Sequence, residues 1–377
     1  MKIETVKKQV MSHYSELKSG KSLEERYPEL EMNDEKKHIL FVQCLLERTS
    51  FYRTYLPYLI LNDSDTHTAI IASIQKRDFN KSFEDYDVFL QVDLIQWADV
   101  IVFPVLLFDC KKMYSSILKI NPNLKFMMDI DDVYVNERDE VEPQLIENLR
   151  FNHIISCSSS NLVKIYKEAF SEQYNIAQKA FLSLPTFLVS TYMSQRSDDP
   201  IENGNSIRIG LQQGNFTQST LNSISEVAKS LNKLVTLCIY GNNKEQFEFP
   251  DNLKVQVFKA VKFLDYIPTV KEMNLDFAVL EGKNELIEPQ RAIFQYGELA
   301  LLSIPLITDD KNRGRRFVKH TINGFILSQN NSLKKQLETL FADISLAHKA
   351  GKAAQGMALK HLSWNAKRAS QLISIYK

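Results

Sequence analysis

Charged side chains stand beside apolar runs at two places in the sequence. Asp129, Asp131 and Asp132 follow the run LKFMM, and the spacing Asp-x-Asp can hold a divalent cation because Mg²⁺ and Mn²⁺ prefer hard oxygen ligands. The same aspartates can instead cap the helix that follows a strand. Glu298 opens a helical pattern just before the apolar run Ile304–Thr308, and a carboxylate there can accept hydrogen bonds from two vicinal ribose hydroxyls. The sequence therefore offers a candidate cation site and a candidate nucleotide site.

The elements that must position these residues alternate between short apolar runs and amphipathic stretches. Several runs are continuously apolar, which is typical of parallel strands covered on both faces. Helical patterns such as Leu106–Lys119 and Glu142–Arg150 lie between the runs, and residues 1–37 predict a helical extension. This alternation predicts a doubly wound α/β sheet. Its predicted strands are His38–Cys44, Ala69–Ser73, Val88–Gln91, Val100–Phe103, Leu124–Asp129 and His153–Ser156.

A polar stretch at 190–206, with Pro200 and Gly204, interrupts the pattern and predicts a linker. A second series follows it, with predicted strands Ser206–Leu211, Leu234–Tyr240, Leu253–Phe258, Phe277–Leu280 and Ile304–Thr308. Its predicted helices are Ser219–Leu231, Gln290–Leu302, Ser332–Ala350 and Asn365–Ile375. We therefore predict an α/β fold of two Rossmann-like doubly wound domains, 1–190 and 205–360, that face each other across a cleft at the carboxyl ends of their strands.

Composition and charge exclude several classes of protein. The 377 residues carry 46 Lys and Arg against 46 Asp and Glu, and this balance gives no overall attraction for nucleic acid. The four cysteines and seven histidines never take the spacing of a zinc site, so the local sequence predicts no zinc site. No apolar stretch approaches the ~18–20 residues of a membrane span, and the first residues lack a signal-peptide core. We expect a cytoplasmic protein, with peripheral contact at the inner face of the membrane as a further option for its mildly basic N-terminal helix.

The second half of the sequence resembles a known class of enzymes. The order SIRIGLQQGNF, LVTLCIYG, NLDFAVL and RAIFQYGELALLSIPLI, followed by INGFIL, is similar to the nucleotide-binding half of the GT-B glycosyltransferases. The likeness is strongest to the family 4-like retaining enzymes of cell-surface glycan synthesis. Their segment E-Y-A-A-L-G-I-P-V-I aligns without a gap with Glu298–Ile307, which reads ELALLSIPLI. In the first half, Asp129–Asp132 followed by SCSSSNL is also similar to these enzymes.

The resemblance implies a site for a nucleotide-sugar donor in the second domain. Glu298 would hold the ribose, and the base would lie near the end of the second strand of that domain. Backbone N–H groups after the first strand would bind the diphosphate at the N-terminus of the next helix. A last helix, 361–377, would cross back to the N-terminal domain. The residues implied for donor binding are Gln213, Gly214, Asn215, Tyr240, Gly241 and Glu298.

The sequence departs from the family pattern at the catalytic positions. The family places a second glutamate eight residues before the ribose glutamate, whereas this chain has Gln290, with Glu288 as a nearby substitute. The Arg and Lys that commonly follow the first glycine of the second domain are absent after Gly214. Arg291 and Lys283 would instead stabilise the charge that develops on the departing diphosphate.

On the acceptor side, the resemblance implies roles for Asp131, Asp132 and Arg53. The implied reaction moves a sugar from a nucleotide sugar to a hydroxyl of a glycan or glycolipid, with retention at the anomeric carbon. No cofactor is expected, because helix dipoles and cations offset the phosphate charge. Three alternatives stay open: a metal-dependent GT-A-type transferase using Asp129 and Asp131, a sugar-nucleotide epimerase, and a non-catalytic GT-B-like subunit.

Overall fold

The chain folds into two compact units. The computed structural model describes residues 21–27, 35–43, 48–73, 91–138, 140–174, 179–188, 206–212, 214, 216–241, 247–281, 296–309 and 316–376. The N-terminal unit runs to Phe187 and includes the residues from Asn365 onward, and the C-terminal unit is Leu188–Trp364. Most of the linker predicted at 190–206 lies outside the described residues.

A parallel sheet forms the centre of the N-terminal unit, with six strands among the described residues in the order β2-β1-β3-β4-β5-β6. The strands are β1 (Lys37–Gln43), β2 (His67–Ser73), β3 (Val100–Phe103), β4 (Lys125–Ile130), β5 (Ile154–Cys157) and β6 (Ala180–Ser183). The helices are α1 (Leu23–Arg26), α2 (Arg48–Ser50), a π-helical turn (Phe51–Tyr55), α3 (Leu56–Asn62), α4 (Val92–Trp97), α5 (Lys111–Ile120), α6 (Pro143–Leu149) and α7 (Ser160–Gln173). Both faces of the sheet are covered, since the consecutive residues Ile39, Leu40 and Phe41 are at most 1% exposed.

Most of the strands predicted for this unit are confirmed, as β1 to β5. The strand predicted at Val88–Gln91 lies outside the described residues except for Gln91, which is the residue before α4. Strand β6 was not predicted: its apolar run Ala-Phe-Leu is only three residues long, and its side chains are exposed or half-buried. The helical extension predicted over 1–37 is wrong at its C-terminal end, because 35 and 36 are not helical and Lys37 begins β1; its described helix is α1, while 1–20 and 28–34 lie outside the described residues.

The C-terminal unit contains a second parallel sheet, with six described strands in the order β12-β11-β10-β7-β8-β9. The strands are β7 (Ser206–Gln212), β8 (Leu234–Tyr240), β9 (Leu253–Phe258), β10 (Phe277–Leu280), β11 (Leu306–Thr308) and β12 (Gly324–Ile326). The helices that follow α7 in the chain are α8 (Gln218–Ser230), α9 (Phe263–Met273), α10 (Glu298–Leu301), α11 (Leu333–Ala342), α12 (Ser345–His361) and α13 (Ala366–Ile375). Among the described residues, no helix combines the length and the apolar character needed to cross a membrane.

The helix predicted at Ser332–Ala350 is wrong as a single element, because α11 ends before α12 begins. Asp343 has an extended backbone (φ −141°, ψ 92°) that cannot continue α11. Its Oδ1 accepts a hydrogen bond from the backbone N of Ser345 at 3.0 Å, which begins α12. Apolar periodicity continues across the break, so the pattern alone did not reveal it.

Helix α13 packs within the N-terminal unit. Its N-cap is Asn365, whose side chain accepts a hydrogen bond from the backbone N of Arg368 at 3.1 Å. Tyr376, just after the helix, is 2% exposed, and its ring meets Phe41 edge-on with centroids 5.8 Å apart. The C-terminal residues therefore add apolar side chains to the core of the first unit.

Helices α10 and α12 approach closely in the C-terminal unit, and a glycine allows this contact. A Cβ placed on Gly351 of α12 would lie 2.0 Å from the backbone carbonyl oxygen of Ser303, just after α10. Backbone at the end of a helix cannot move aside as a side-chain tip can. Gly356, five residues later in α12, has no heavy atom within 4 Å of the same position.

We expect Gly351→Ala to destabilise the protein by at least about 2 kcal/mol, because the added methyl group overpacks a contact with backbone. Gly356→Ala is the matched control in the same helix. It should stabilise by roughly 0.5–1 kcal/mol, because alanine favours the helix over glycine. Urea unfolding of the two variants checks this, and similar midpoints for both would show that α12 does not lie against Ser303.

Candidate functional site

The strand order of the C-terminal sheet reverses between β7 and β10. Strands β8 and β9 lie on one side of β7, and β10, β11 and β12 lie on the other. Open parallel sheets bind their ligands outside the carboxyl ends of the strands at such a switch point. Gly214 follows β7 there with φ +86°, a left-handed conformation that favours glycine. The predicted donor-site residues Gln213 and Asn215 lie outside the described residues.

A carboxylate occupies the first turn of α8, which follows Gly214. Thr217 caps this helix, since its Oγ1 accepts a hydrogen bond from the backbone N of Thr220 at 3.3 Å. Glu281, directly after β10, accepts hydrogen bonds from Thr220 Oγ1 at 2.7 Å and from Thr217 Oγ1 at 3.3 Å. Glu281 was not predicted as a site residue, although a charged residue directly after the buried strand FAVL was an available signal.

Tyr240 and Gly241 lie at the carboxyl end of β8, beside β7. The backbone N of Gly241 donates to the carbonyl of Phe258 at 3.0 Å, which continues the pairing with β9. The hydroxyl of Tyr240 accepts a hydrogen bond from the backbone N of Val261 at 3.2 Å, and its ring meets Tyr266 edge-on. These two predicted donor-site residues therefore lie at the same sheet edge as Gly214.

Glu298 begins α10, as predicted, but its side chain does not lie exposed at a rim. The residue is 1% exposed, and α10 packs against α12. Tyr296, two residues earlier, is also buried, and its hydroxyl accepts a hydrogen bond from Asn323 Nδ2 at 2.9 Å. The catalytic residues predicted beside Glu298, Lys283, Glu288 and Arg291, lie outside the described residues, as does Gln290.

Arg53 and Asp129 form a buried ion pair at the carboxyl edge of the N-terminal sheet. Arg53 belongs to the π-helical turn, and its Nε donates to Asp129 Oδ2 at 2.8 Å while Nη2 donates to Oδ1. Arg53 Nη1 donates to the carbonyl of Leu184, after β6, and Ser156 of β5 donates to Asp129 Oδ1. Burial acts to lower the pKa of Arg53, but the adjacent charge of Asp129 more than offsets this and raises it.

Asp131 and Asp132 lie beside this pair, just after β4. Tyr134 Oη donates to Asp131 Oδ1 at 2.7 Å, and Tyr166 Oη donates to the carbonyl of Asp132 at 3.0 Å. Burial raises the pKa of Asp131, and the hydrogen bond from Tyr134 counteracts part of that rise. The structure thus brings together the three residues predicted for the acceptor side, Arg53, Asp131 and Asp132.

The contacts of Asp129 bear on the metal-dependent alternative. Both of its carboxylate oxygens accept hydrogen bonds from the guanidinium of Arg53, which occupies the place of a cation. Over the described ranges, His, Cys, Asp and Glu nowhere form a group of three or more that could hold a metal ion. In this structure Asp129 is therefore paired with a guanidinium, and the expectation of a metal-independent reaction stays a prediction.

Comparison with known proteins places this architecture among solved structures. No family model matches the chain, and no curated protein matches its sequence. It is similar to sucrose-phosphate synthase from Thermosynechococcus elongatus (TM-score 0.57, 11% identity, covering 90% of this chain and 98% of that one). It is also similar to Anabaena HepE in complex with UDP and glucose (0.54, 11%, 90% and 98%). A third similar structure is an alpha-glucosyltransferase in complex with UDP-glucose and DNA containing an abasic site (0.59, 13%, 91% and 100%).

These neighbours define the class of fold. They are GT-B glycosyltransferases, two of the three with UDP or UDP-glucose bound, and they are matched over nearly their whole length. The chain therefore has the GT-B fold, an α/β architecture with two parallel six-stranded sheets among the described residues. The finer likeness to the family 4 enzymes stays a prediction.

We expect Asp129→Asn to destabilise the protein by about 3–5 kcal/mol, because it leaves the guanidinium of Arg53 buried without its counter-charge. Asp65→Asn, at an exposed aspartate of the same unit, should change stability by no more than about 0.5 kcal/mol. Urea unfolding of both variants tests the difference. The double variant Arg53→Met with Asp129→Leu should lose less stability than the sum of the losses in Arg53→Met alone and Asp129→Leu alone. Strict additivity of the two losses would contradict the ion pair.

Proposed function

We propose that the protein is a glycosyltransferase that moves a sugar from a nucleotide-sugar donor to a hydroxyl of a glycan or glycolipid, with retention. The observation that carries the proposal is the GT-B fold, shared over about nine-tenths of the chain with enzymes that bind UDP or UDP-glucose. The polar residues at the carboxyl edge of each sheet support it, because ligands of parallel sheets bind at these edges.

The C-terminal unit would bind the donor. Glu298 would accept hydrogen bonds from the two ribose hydroxyls, and Tyr240 and Gly241 would lie near the base at the end of β8. Arg291 and Lys283 would stabilise the negative charge on the departing diphosphate, as positioned cations do in other transfer reactions. Glu288 would supply the carboxylate that Gln290 cannot. These roles rest on the likeness of the sequence to the family, together with the fold.

The N-terminal unit would bind the acceptor. Asp131 and Asp132 lie half-buried at the carboxyl edge of its sheet, where their oxygens can accept hydrogen bonds from acceptor hydroxyls. Arg53 is directed at Asp129 and the carbonyl of Leu184, so its role would be to hold this edge in place beneath the acceptor. The reaction would need no metal, because helix N-termini and basic side chains can offset the phosphate charge.

A non-catalytic GT-B subunit is the second candidate. Two observations favour it: the replacement of a family glutamate by Gln290, and the carboxylate of Glu281 at the first turn of α8. Turnover of a radiolabelled nucleotide sugar separates this candidate from the transferase. Product analysis separates both from an epimerase, which would change the sugar without transferring it.

We expect at least one of UDP, GDP, ADP and CMP to raise the melting temperature of the protein, because a ligand that binds only the folded state stabilises it. EDTA should leave that shift unchanged. Thermal unfolding with each nucleotide, with and without EDTA, makes the measurement. If no nucleotide gave a shift, the proposed function would fail; a shift lost in EDTA and restored by Mn²⁺ would instead revive the metal-dependent alternative.

We expect Glu298→Gln to weaken nucleotide binding by roughly tenfold to a hundredfold, because each hydrogen bond to a charged acceptor contributes ~1.5–3 kcal/mol and the amide replaces part of that. Glutamine keeps the size of this buried side chain, whereas Glu298→Ala would also leave a cavity. The wild type should bind a 2′-deoxy nucleotide more weakly than the ribonucleotide. The substitution Glu298→Gln should then reduce the affinity for the 2′-deoxy nucleotide only slightly further. Titration calorimetry of both proteins with both nucleotides tests this, and equal affinities for the ribonucleotide would refute the ribose contact.

A further inference from the structure

Glu281 lies at the carboxyl edge of the C-terminal sheet, at the point between β7 and β10 where the strand order reverses. It directly follows β10, and β10 pairs with β7, whose carboxyl end leads through Gly214 into α8. Its carboxylate therefore links the end of β10, on one side of the switch point, to α8, which follows β7 on the other side. The residue belongs to the donor edge of the sheet, but neither the family likeness nor the sequence analysis assigns it a role.

The hydrogen bonds of Glu281 use the side-chain donors of the first turn of α8. Thr220 Oγ1 donates to Oε1 at 2.7 Å, and Thr217 Oγ1 donates to Oε2 at 3.3 Å. The same two hydroxyl oxygens accept the backbone N–H groups of the turn, since Thr217 N donates to Thr220 Oγ1 at 3.0 Å and Thr220 N to Thr217 Oγ1 at 3.3 Å. Each threonine hydroxyl oxygen thus accepts a backbone N–H group, and the two Oγ1 atoms also lie 3.0 Å apart, within hydrogen-bond distance of each other.

The charge of Glu281 is matched to the helix rather than to a ligand. The N-terminus of a helix carries a partial positive charge that attracts anions, and α8 is 13 residues long. In a nucleotide-binding sheet, the anion at this place would be the phosphate of the nucleotide. Here a carboxylate of the chain itself already satisfies both the hydroxyl donors and the dipole.

We propose that Glu281 competes with the phosphates of the nucleotide for the N-terminus of α8 and so sets the amount of negative charge that the donor site accepts. This inference rests on the proposed function, because it assumes that the phosphates approach the switch point. A phosphate at this helix end would compete with Glu281 for the two threonine hydroxyls, and two anions at one helix end repel each other. Nucleotide binding therefore requires either that Glu281 leave the two threonines or that its repulsion be overcome.

Removal of the charge should therefore strengthen the binding of phosphates. In Glu281→Gln, the side chain keeps its shape, and we expect the affinity for UDP to rise by roughly threefold to thirtyfold, from the loss of one charge at close range in a half-exposed site. Uridine lacks phosphates, so its affinity should not change. Glu272→Gln removes an exposed carboxylate of the same unit and controls for net charge; it should leave both ligands unaffected.

Titration calorimetry with UDP and uridine makes the comparison, and thermal unfolding with inorganic pyrophosphate supplies an arm that needs no base recognition. Pyrophosphate should raise the melting temperature of Glu281→Gln more than that of the wild type. Glu281→Ala should change the UDP and pyrophosphate responses in the same direction, which guards against an effect peculiar to glutamine.

Two results would overturn the inference: a fall in UDP affinity in Glu281→Gln, which would make Glu281 a favourable donor contact, or an unchanged response to both UDP and pyrophosphate. A wild type that binds no nucleotide would overturn the proposed function instead. The pyrophosphate arm would then still decide whether Glu281 competes with an anion at α8.

Discussion

The burial of parallel strands on both faces is the constraint on which the rest of the structure depends. Parallel neighbours cannot be joined by a tight turn, so the chain must cross back through a helix between strands. Helices then cover both faces, and the carboxyl ends of the strands collect at one edge of each sheet. Polar and charged residues can collect at that edge: Glu281 lies there half-buried, and Arg53 lies there buried in contact with Asp129.

Charges at these two edges are neutralised in different ways. At the N-terminal sheet, Asp129 is matched by a guanidinium in bidentate contact, and the pair is buried among β4, β5 and the residues after β6. At the C-terminal sheet, Glu281 is matched by two hydroxyls and a helix dipole, and its hydrogen-bond partners in the described part of the chain carry no formal positive charge. The first arrangement is costly to break, because either partner left alone is a buried charge. The second holds its carboxylate with weaker partners, so an incoming anion can compete with it.

Whether an element could be predicted depended on how clear an apolar pattern its own sequence carries. Strands such as Val100–Phe103 and Phe277–Leu280 are continuously apolar and buried, so composition alone located them. The edge strand Ala180–Ser183 is half-exposed and has an apolar run of only three residues, and the break at Asp343 lies inside an unbroken apolar period, so neither was predicted. Of the candidate site, the sequence pointed to Glu298 and to the aspartates after β4. It did not indicate that Glu298 is buried, because exposure depends on how α10 packs against α12.

The sequence by itself determined the alternation of strands and helices, and with it the two-domain α/β class, because burial of apolar runs is encoded residue by residue. It also placed the acidic residues after β4 and the glycine after β7 at strand ends. Only the tertiary structure decided which charges meet. Arg53 and Asp129 are 76 positions apart, and Glu281 lies 61 positions from Thr220. Such contacts arise from strand order and helix placement, which local periodicity does not specify.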